Sequence, residues 1–438
     1  MINTPIDSVI VDRLIKESNL KSVGKASIRE IKKLVDNIEE ATGEKFIRME
    51  MGVPGLPPAQ AGVEGQIEAL QRGVAAKYPD IQGVPELKTE IAKFVKLFMN
   101  IDVSPQSCLP TVGSMQGSFA SFLTLSRLHK ERDTTLFIDP GFPVHKMQHR
   151  VLDLKFESFD VYNFRGEKLK EKLESYFKKG NIHSVLYSNP NNPSWICFND
   201  EELQIIGELA TKYDIVIMED LAYFGMDFRK DYSVPGQAPF QPSVANFTDN
   251  YILFISSSKA FSYAGERIGM MIISDNLFKS KYENLCNYYP SEEFGYSMIF
   301  GTLYPLSSGT SHSAQYGLLS VLKASNSGEF NFIEFVKDYG VKAKIMKEIF
   351  TSNGFEIVYD TDINQPIADG FYFTFSYPGI EGHELLNKMI YYGISAISLL
   401  ITGSERSEGI RACTSLINHN QMDDLRKRLE QFNKDHPL

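Results

Sequence analysis

Apolar residues recur along this chain with two different periods. Over SIREIKKLVDNIEEATG, residues Ile28, Ile31, Leu34, Val35 and Ile38 fall at helical spacing and Gly43 offers a stop, which predicts an N-terminal helix. The Pro- and Gly-rich GVPGLPPAQAG then reads as a loop. From about residue 110 to 275, short runs rich in Ile, Val, Leu and Phe (TLFID, SVLYSN, DIVIMED, YILFISS, GMMIIS) alternate with amphipathic stretches such as SFASFLTLSRLHKE, EKLKEKLESYFKK and DEELQIIGELATKY. Runs apolar at nearly every position predict strands buried on both faces, and strand–helix alternation predicts parallel βαβ units with helices on both sides. Beyond about residue 305 come long helical patterns, then FEIVYD, GFYFTFSY and a terminal helix QMDDLRKRLEQFNK. The predicted fold class is α/β. A large domain, residues 50–304, carries a mostly parallel sheet flanked by helices; a smaller α/β domain is built from both chain ends, residues 1–49 and 305–438.

Composition narrows what such a fold does. The 438 residues carry 45 basic and 55 acidic side chains, a net charge of −10, with no lysine or arginine run, which argues against nucleic acid or an anionic membrane as the partner. Four cysteines (Cys108, Cys197, Cys286 and Cys413) lie far apart without a Cys-x-x-Cys, so neither a zinc knuckle nor a disulfide framework is indicated, and a reducing compartment fits. The opening MINTPIDSVIVDRLIKESNL is charged too early for a secretory signal, and no apolar run approaches the ~20 residues that span a bilayer. A soluble, cytoplasmic protein is expected. No two glycines are separated by a single residue, so the dinucleotide fingerprint is absent, as are the phosphate loop, the Gly-x-Ser-x-Gly elbow and His-Glu-x-x-His.

In open α/β sheets, ligands bind beyond the carboxyl ends of the strands. Polar residues follow four strands in succession: Asp139-Pro140-Gly141-Phe142, Asn189-Pro190-Asn191-Asn192-Pro193, Glu219-Asp220-Leu221-Ala222-Tyr223 and Ser256-Ser257-Ser258-Lys259. Ahead of them, Thr111-Val112-Gly113-Ser114-Met115 opens a helix, where free N–H groups favour an anion.

In order and spacing, these pieces resemble the fold-type I pyridoxal-phosphate enzymes of the class I/II aminotransferases, over residues Tyr78 to Arg411. The resemblance implies pyridoxal 5′-phosphate as cofactor and transfer of an amino group from an L-amino acid to a 2-oxo acid. Ser256-x-x-Lys259 followed by Gly265-x-Arg267-x-Gly269 matches the cofactor lysine motif, so Lys259 would form the internal aldimine while Ser256 and Arg267 hold the phosphate, with the amides of Ser114 and Met115. Asp220-x-x-Tyr223 matches the pair at the pyridine nitrogen and the phenolic oxygen; Glu219 is an alternative acid by type alone. Asn192 would donate to that same oxygen and face the substrate, and Phe142 would stack on the ring. Arg411, in Gly409-Ile410-Arg411, would clamp the substrate α-carboxylate, with backbone at Gly52 beside it. Tyr78, in Tyr78-Pro79-Asp80-Ile81-Gln82-Gly83, would reach the phosphate of the other subunit of a homodimer. One departure stands out: Ser194-Trp195 replaces the family's Thr-Gly, and Trp195 puts the local backbone and pocket shape in doubt. The same fold also serves C–S β-lyases, and a non-catalytic pyridoxal-binding regulator is a third reading, disfavoured because only about fifty residues precede the Pro/Gly loop.

Overall fold

The computed structural model describes residues 4–437. Its centre is a seven-stranded sheet running, across the sheet, Cys108–Thr111, Gly269–Ile273, Tyr251–Ser256, Val216–Leu221, Ile182–Ser188, Thr134–Asp139 and Lys155–Asp160. Every residue of the five central strands is buried, as their unbroken apolar runs require. The strands from Tyr251–Ser256 to Lys155–Asp160 run parallel. Gly269–Ile273 does not: it pairs antiparallel with both Tyr251–Ser256 and Cys108–Thr111, so the sheet is mostly parallel, as expected, and not wholly so. The physical reason is the connection. Only twelve residues, Ser257 to Ile268, separate it from the preceding strand, and a short link returns the chain beside its neighbour in the opposite direction.

Helices Gly113–Leu125, Glu167–Phe177 and Asp200–Tyr213 cover the faces of the sheet. The last starts at a reciprocal cap in which Asn199 accepts from Glu202 N at 2.9 Å and Glu202 accepts from Asn199 N. A second core joins the two chain ends. Ile31, Leu34, Val35 and Ile38, from helix Ile28–Thr42, share it with Phe350, Phe373, Leu386 and Leu425. Here a four-stranded antiparallel sheet places Tyr372–Ser376 beside Ile410–Cys413, with Thr374 opposite Arg411. Helix His312–Ser327 follows the expected division at residue 305, yet Ala314, Leu318 and Leu322 belong to the core of the large sheet, packed on helices Gln60–Gln71 and Pro85–Met99. No helix among the described residues is long and apolar enough to cross a membrane.

Candidate active site

A cavity of about 630 Å³ opens at the carboxyl ends of the parallel strands, between the two cores. Eleven of the twelve residues singled out in the sequence line it: Gly52, Ser114, Met115, Phe142, Asn192, Asp220, Tyr223, Ser256, Lys259, Arg267 and Arg411. The twelfth, Tyr78, lies elsewhere on the surface, 91% exposed.

One end of the cavity is built for an anion. Helix Gly113–Leu125 starts there, so its first N–H groups have no partner within the helix. Ser114 Oγ is buried and has no hydrogen-bond partner, and the Arg267 guanidinium lies so close to Gly113 that a Cβ there would sit 2.5 Å from Nη2. The short antiparallel strand completes this end: its first residue, Gly269, passes against Ser114 N, where a Cβ would come within 3.0 Å. Cation, free hydroxyl and helix N-terminus together fit a phosphate group.

Alternation along the strand separates the two neighbouring carboxylates. Glu219 points away from the cavity and accepts from Ser243 Oγ at 2.5 Å, Val244 N at 3.2 Å and Tyr187 Oη at 3.2 Å. Asp220 points into it, accepting only from Ala222 N at 3.2 Å, with His145 Nε2 3.9 Å behind. Burial pushes the Asp220 carboxyl up to about 7, against the pull of the Ala222 amide and Lys259. His145, driven down to about 3 by burial, is neutral beside it. Lys259 lies in the short helical turn Ser257–Ala260 that follows Tyr251–Ser256, and burial, reinforced by Arg267 and Arg411, lowers its amine to about 8. An amine so lowered is partly unprotonated near neutral pH, which a nucleophilic lysine needs.

The other end of the cavity is an arginine clamp. Arg411, 1% exposed, donates from Nη1 to Asn192 Oδ1 at 3.2 Å and from Nη2 to Glu50 O at 2.6 Å, while its buried Nε has no partner. With its oxygen occupied, Asn192 keeps its NH₂ free for the cavity. A buried guanidinium held by neutral acceptors, without a carboxylate, is suited to receiving one from a ligand.

The structure also brings in residues that were not singled out in the sequence. Tyr372 joins the wall, its hydroxyl 2.9 Å from that of Tyr223. Its neighbours in GFYFTFSY are equally aromatic, so nothing local distinguished it. His145 lies three residues past Phe142 in helix Pro143–Leu152, a spacing that would have marked it as a companion of the ring-facing residue. Ser27, Ile28 and Arg29 reach the mouth from the N-terminal helix. A separate cavity of about 400 Å³, lined by Cys197, Tyr232 and Gln241, is crossed by its own ion pairs, Arg229 holding Asp227 at 2.7 Å and Asp362 at 2.8 Å.

The chain is similar to known aminotransferases in sequence and in fold. Residues 44–356 match the family model for aminotransferase class I and II. A probable aspartate aminotransferase of Methanocaldococcus jannaschii is 26% identical over 401 residues, 90% of this chain and 93% of its own. A glutamate–pyruvate aminotransferase of Escherichia coli is 28% identical over 236 residues, 52% of this chain and 54% of its own. Among solved structures, an aminotransferase from Mycobacterium tuberculosis superposes with a TM-score of 0.76 at 14% identity, covering 96% of this chain and 98% of that one.

Proposed function

The chain belongs to the aminotransferase class I and II family and is an aminotransferase; from that premise we propose that its cavity holds pyridoxal 5′-phosphate and that its own residues divide the work of moving an amino group from an L-amino acid to a 2-oxo acid. The observation that carries the reading is the meeting of a lowered lysine, a cavity-facing carboxylate, an anion subsite and an arginine clamp in one cavity.

Bound there, the cofactor would supply a carbonyl that captures amines and a ring that withdraws electrons. Ser114, Ser256 and Arg267 hold its phosphate, with the amides at Ser114 and Met115. Phe142 offers an apolar face for stacking, without a polar handle. Asp220, whose buried carboxyl has no cationic partner in contact, balances a protonated ring nitrogen. Tyr223 and the free NH₂ of Asn192 face the phenolic edge. Arg411 receives the substrate α-carboxylate at its unpartnered Nε, and the backbone at Gly52 can lie close because a Cβ there would overlap the Tyr372 hydroxyl. Lys259 Nζ, once free, is the base that takes the α-proton of the substrate.

The substrates are then small-molecule amino and 2-oxo acids. The unpaired state of all four cysteines supports a cytoplasmic setting, and the exposure of Tyr78, outside the lining of its own cavity, supports a homodimer in which it serves the partner's site. Purified protein is expected to be yellow, and borohydride reduction with peptide mapping should recover the pyridoxyl group on Lys259. Recovery on another lysine, or on none, would overturn the assignment. An amino-donor panel against pyruvate and 2-oxoglutarate separates transfer from β-elimination, because a lyase would release pyruvate and thiol without needing an oxo acid.

A further inference from the structure

One buried hydroxyl of the site is left without a role above. We propose that Tyr372 is a positioning residue for amino transfer, its hydroxyl ordering that of Tyr223 and its ring flooring the Arg411 guanidinium, with Trp195 wedged behind both phenols. The proposal rests on the aminotransferase reading of the cavity.

Each phenol has a single proton to donate. In the structure Tyr223 donates its proton to Tyr372 at 2.9 Å. A phenolic acceptor entering the cavity needs that same proton. Tyr372 can answer by turning its own proton towards Tyr223, which preserves the pair with the roles reversed. A hydroxyl that accepts one bond donates the next more strongly. Burial pushes the Tyr372 phenol up to about 12 and raises that of Tyr223 well above its ordinary value, so both protons are present near neutral pH.

The ring has a second task. Arg411 Cζ lies 4.4 Å from the centre of the Tyr372 ring, so the guanidinium is held on that side by a cation–π contact while Asn192 and Glu50 hold two of its nitrogens. Trp195 packs behind this wall. It is 0% exposed and takes a φ of 64°, a left-handed conformation that side-chain-bearing residues avoid. Its ring stands 5.4 Å from Tyr223 and 6.2 Å from Tyr372, and it fills the space a Cβ would need at Gly370, two residues before Tyr372. The residue standing where the family has glycine is thus spent on backing the two phenols.

Two variants separate hydroxyl from ring. Tyr372→Phe keeps the ring; Tyr372→Met keeps the bulk without a π face. The holoenzyme is read three ways: the pH midpoint of the bound cofactor's visible band, kcat against KM, and the Kd of propionate followed by fluorescence of Trp195, the only tryptophan. A weaker Tyr223 donor disfavours the deprotonated form of the bound cofactor. Tyr372→Phe should therefore raise the midpoint by about 0.5 pH unit and lower kcat about 3-fold, with KM and the propionate Kd unchanged. Tyr372→Met should in addition raise KM and the propionate Kd about 5-fold. A Phe variant matching wild type in midpoint and kcat, or one weakening propionate as much as Met does, overturns the proposal. Should the Met chain fail to fold, the Phe midpoint decides by itself. Wild-type protein lacking any cofactor band would instead overturn the aminotransferase reading, and the proposal with it.

Discussion

Positions 219 and 220 carry two carboxylates side by side, and the pleat of one strand sends them to opposite faces. Spacing to Tyr223 favours Asp220; in the structure Glu219 spends its oxygens on Ser243, Val244 and Tyr187, whereas Asp220 faces the cavity. That placement is costly for the cofactor-free protein. Burial raises the folded pKa of Asp220 from the ordinary carboxylate range to about 7, so its contribution to stability is fully present below the unfolded pKa and is lost as pH rises through the folded one. Above pH 7 the burial of the ionised group costs roughly 2–4 kcal/mol. Cofactor-free Asp220→Asn should therefore melt a few degrees above wild type at pH 8, with the advantage shrinking steadily towards pH 5. An equal advantage at both pH values in thermal scans would refute this account. The same variant loses the counter-charge to the ring, and kcat/KM should fall by roughly 10²–10⁴.

Among the elements, helix Ile28–Thr42 was the most legible, because its period, its cap and its stop are all local. Ser27 and Glu30 form a reciprocal capping box, and Gly43 ends the helix at a φ of 75°. What periodicity could not convey is where the helix lies. It packs on the C-terminal half of the chain and brings Ser27, Ile28 and Arg29 to the mouth of the cavity. Ser27→Ala should cost about 1 kcal/mol through the lost cap and raise KM for amino donors a few-fold, since the first turn frays at the mouth. Leu34→Ala, deep in the shared core, should cost about 2–5 kcal/mol in urea unfolding while leaving KM near wild type. Identical KM values for wild type and Ser27→Ala would show that the turn does not shape the entrance. The strand Gly269–Ile273 shows the opposite case. Its residues are apolar in every direction, so its pattern was readable as a strand and silent about which way it runs.

At the scale of the whole molecule, the composite dimer is the sharpest expectation. If Tyr78 serves the partner's phosphate, mixing a Lys259→Ala chain with a Tyr78→Phe chain gives hybrid dimers in which one site carries both defects and the other neither. The intact site should bind cofactor close to wild type, and Tyr78→Phe homodimers should lose about 1.5–3 kcal/mol of cofactor affinity. Hybrids in which every site is impaired would place Tyr78 within its own subunit, contrary to its exposure. The sequence by itself determined the alternation of strands and helices and the residue types at the strand ends, because period and chemical type are properties of a few neighbouring positions. The family resemblance that those types and spacings carry names twelve candidate residues, and eleven of them line one cavity. Only the tertiary structure decided the direction of Gly269–Ile273, the joining of Tyr372 to Tyr223 across 149 positions and the backing of both by a left-handed Trp195. Those features depend on how segments far apart in the chain approach one another, and an apolar or aromatic residue buried in one packing reads no differently in sequence from the same residue buried in another.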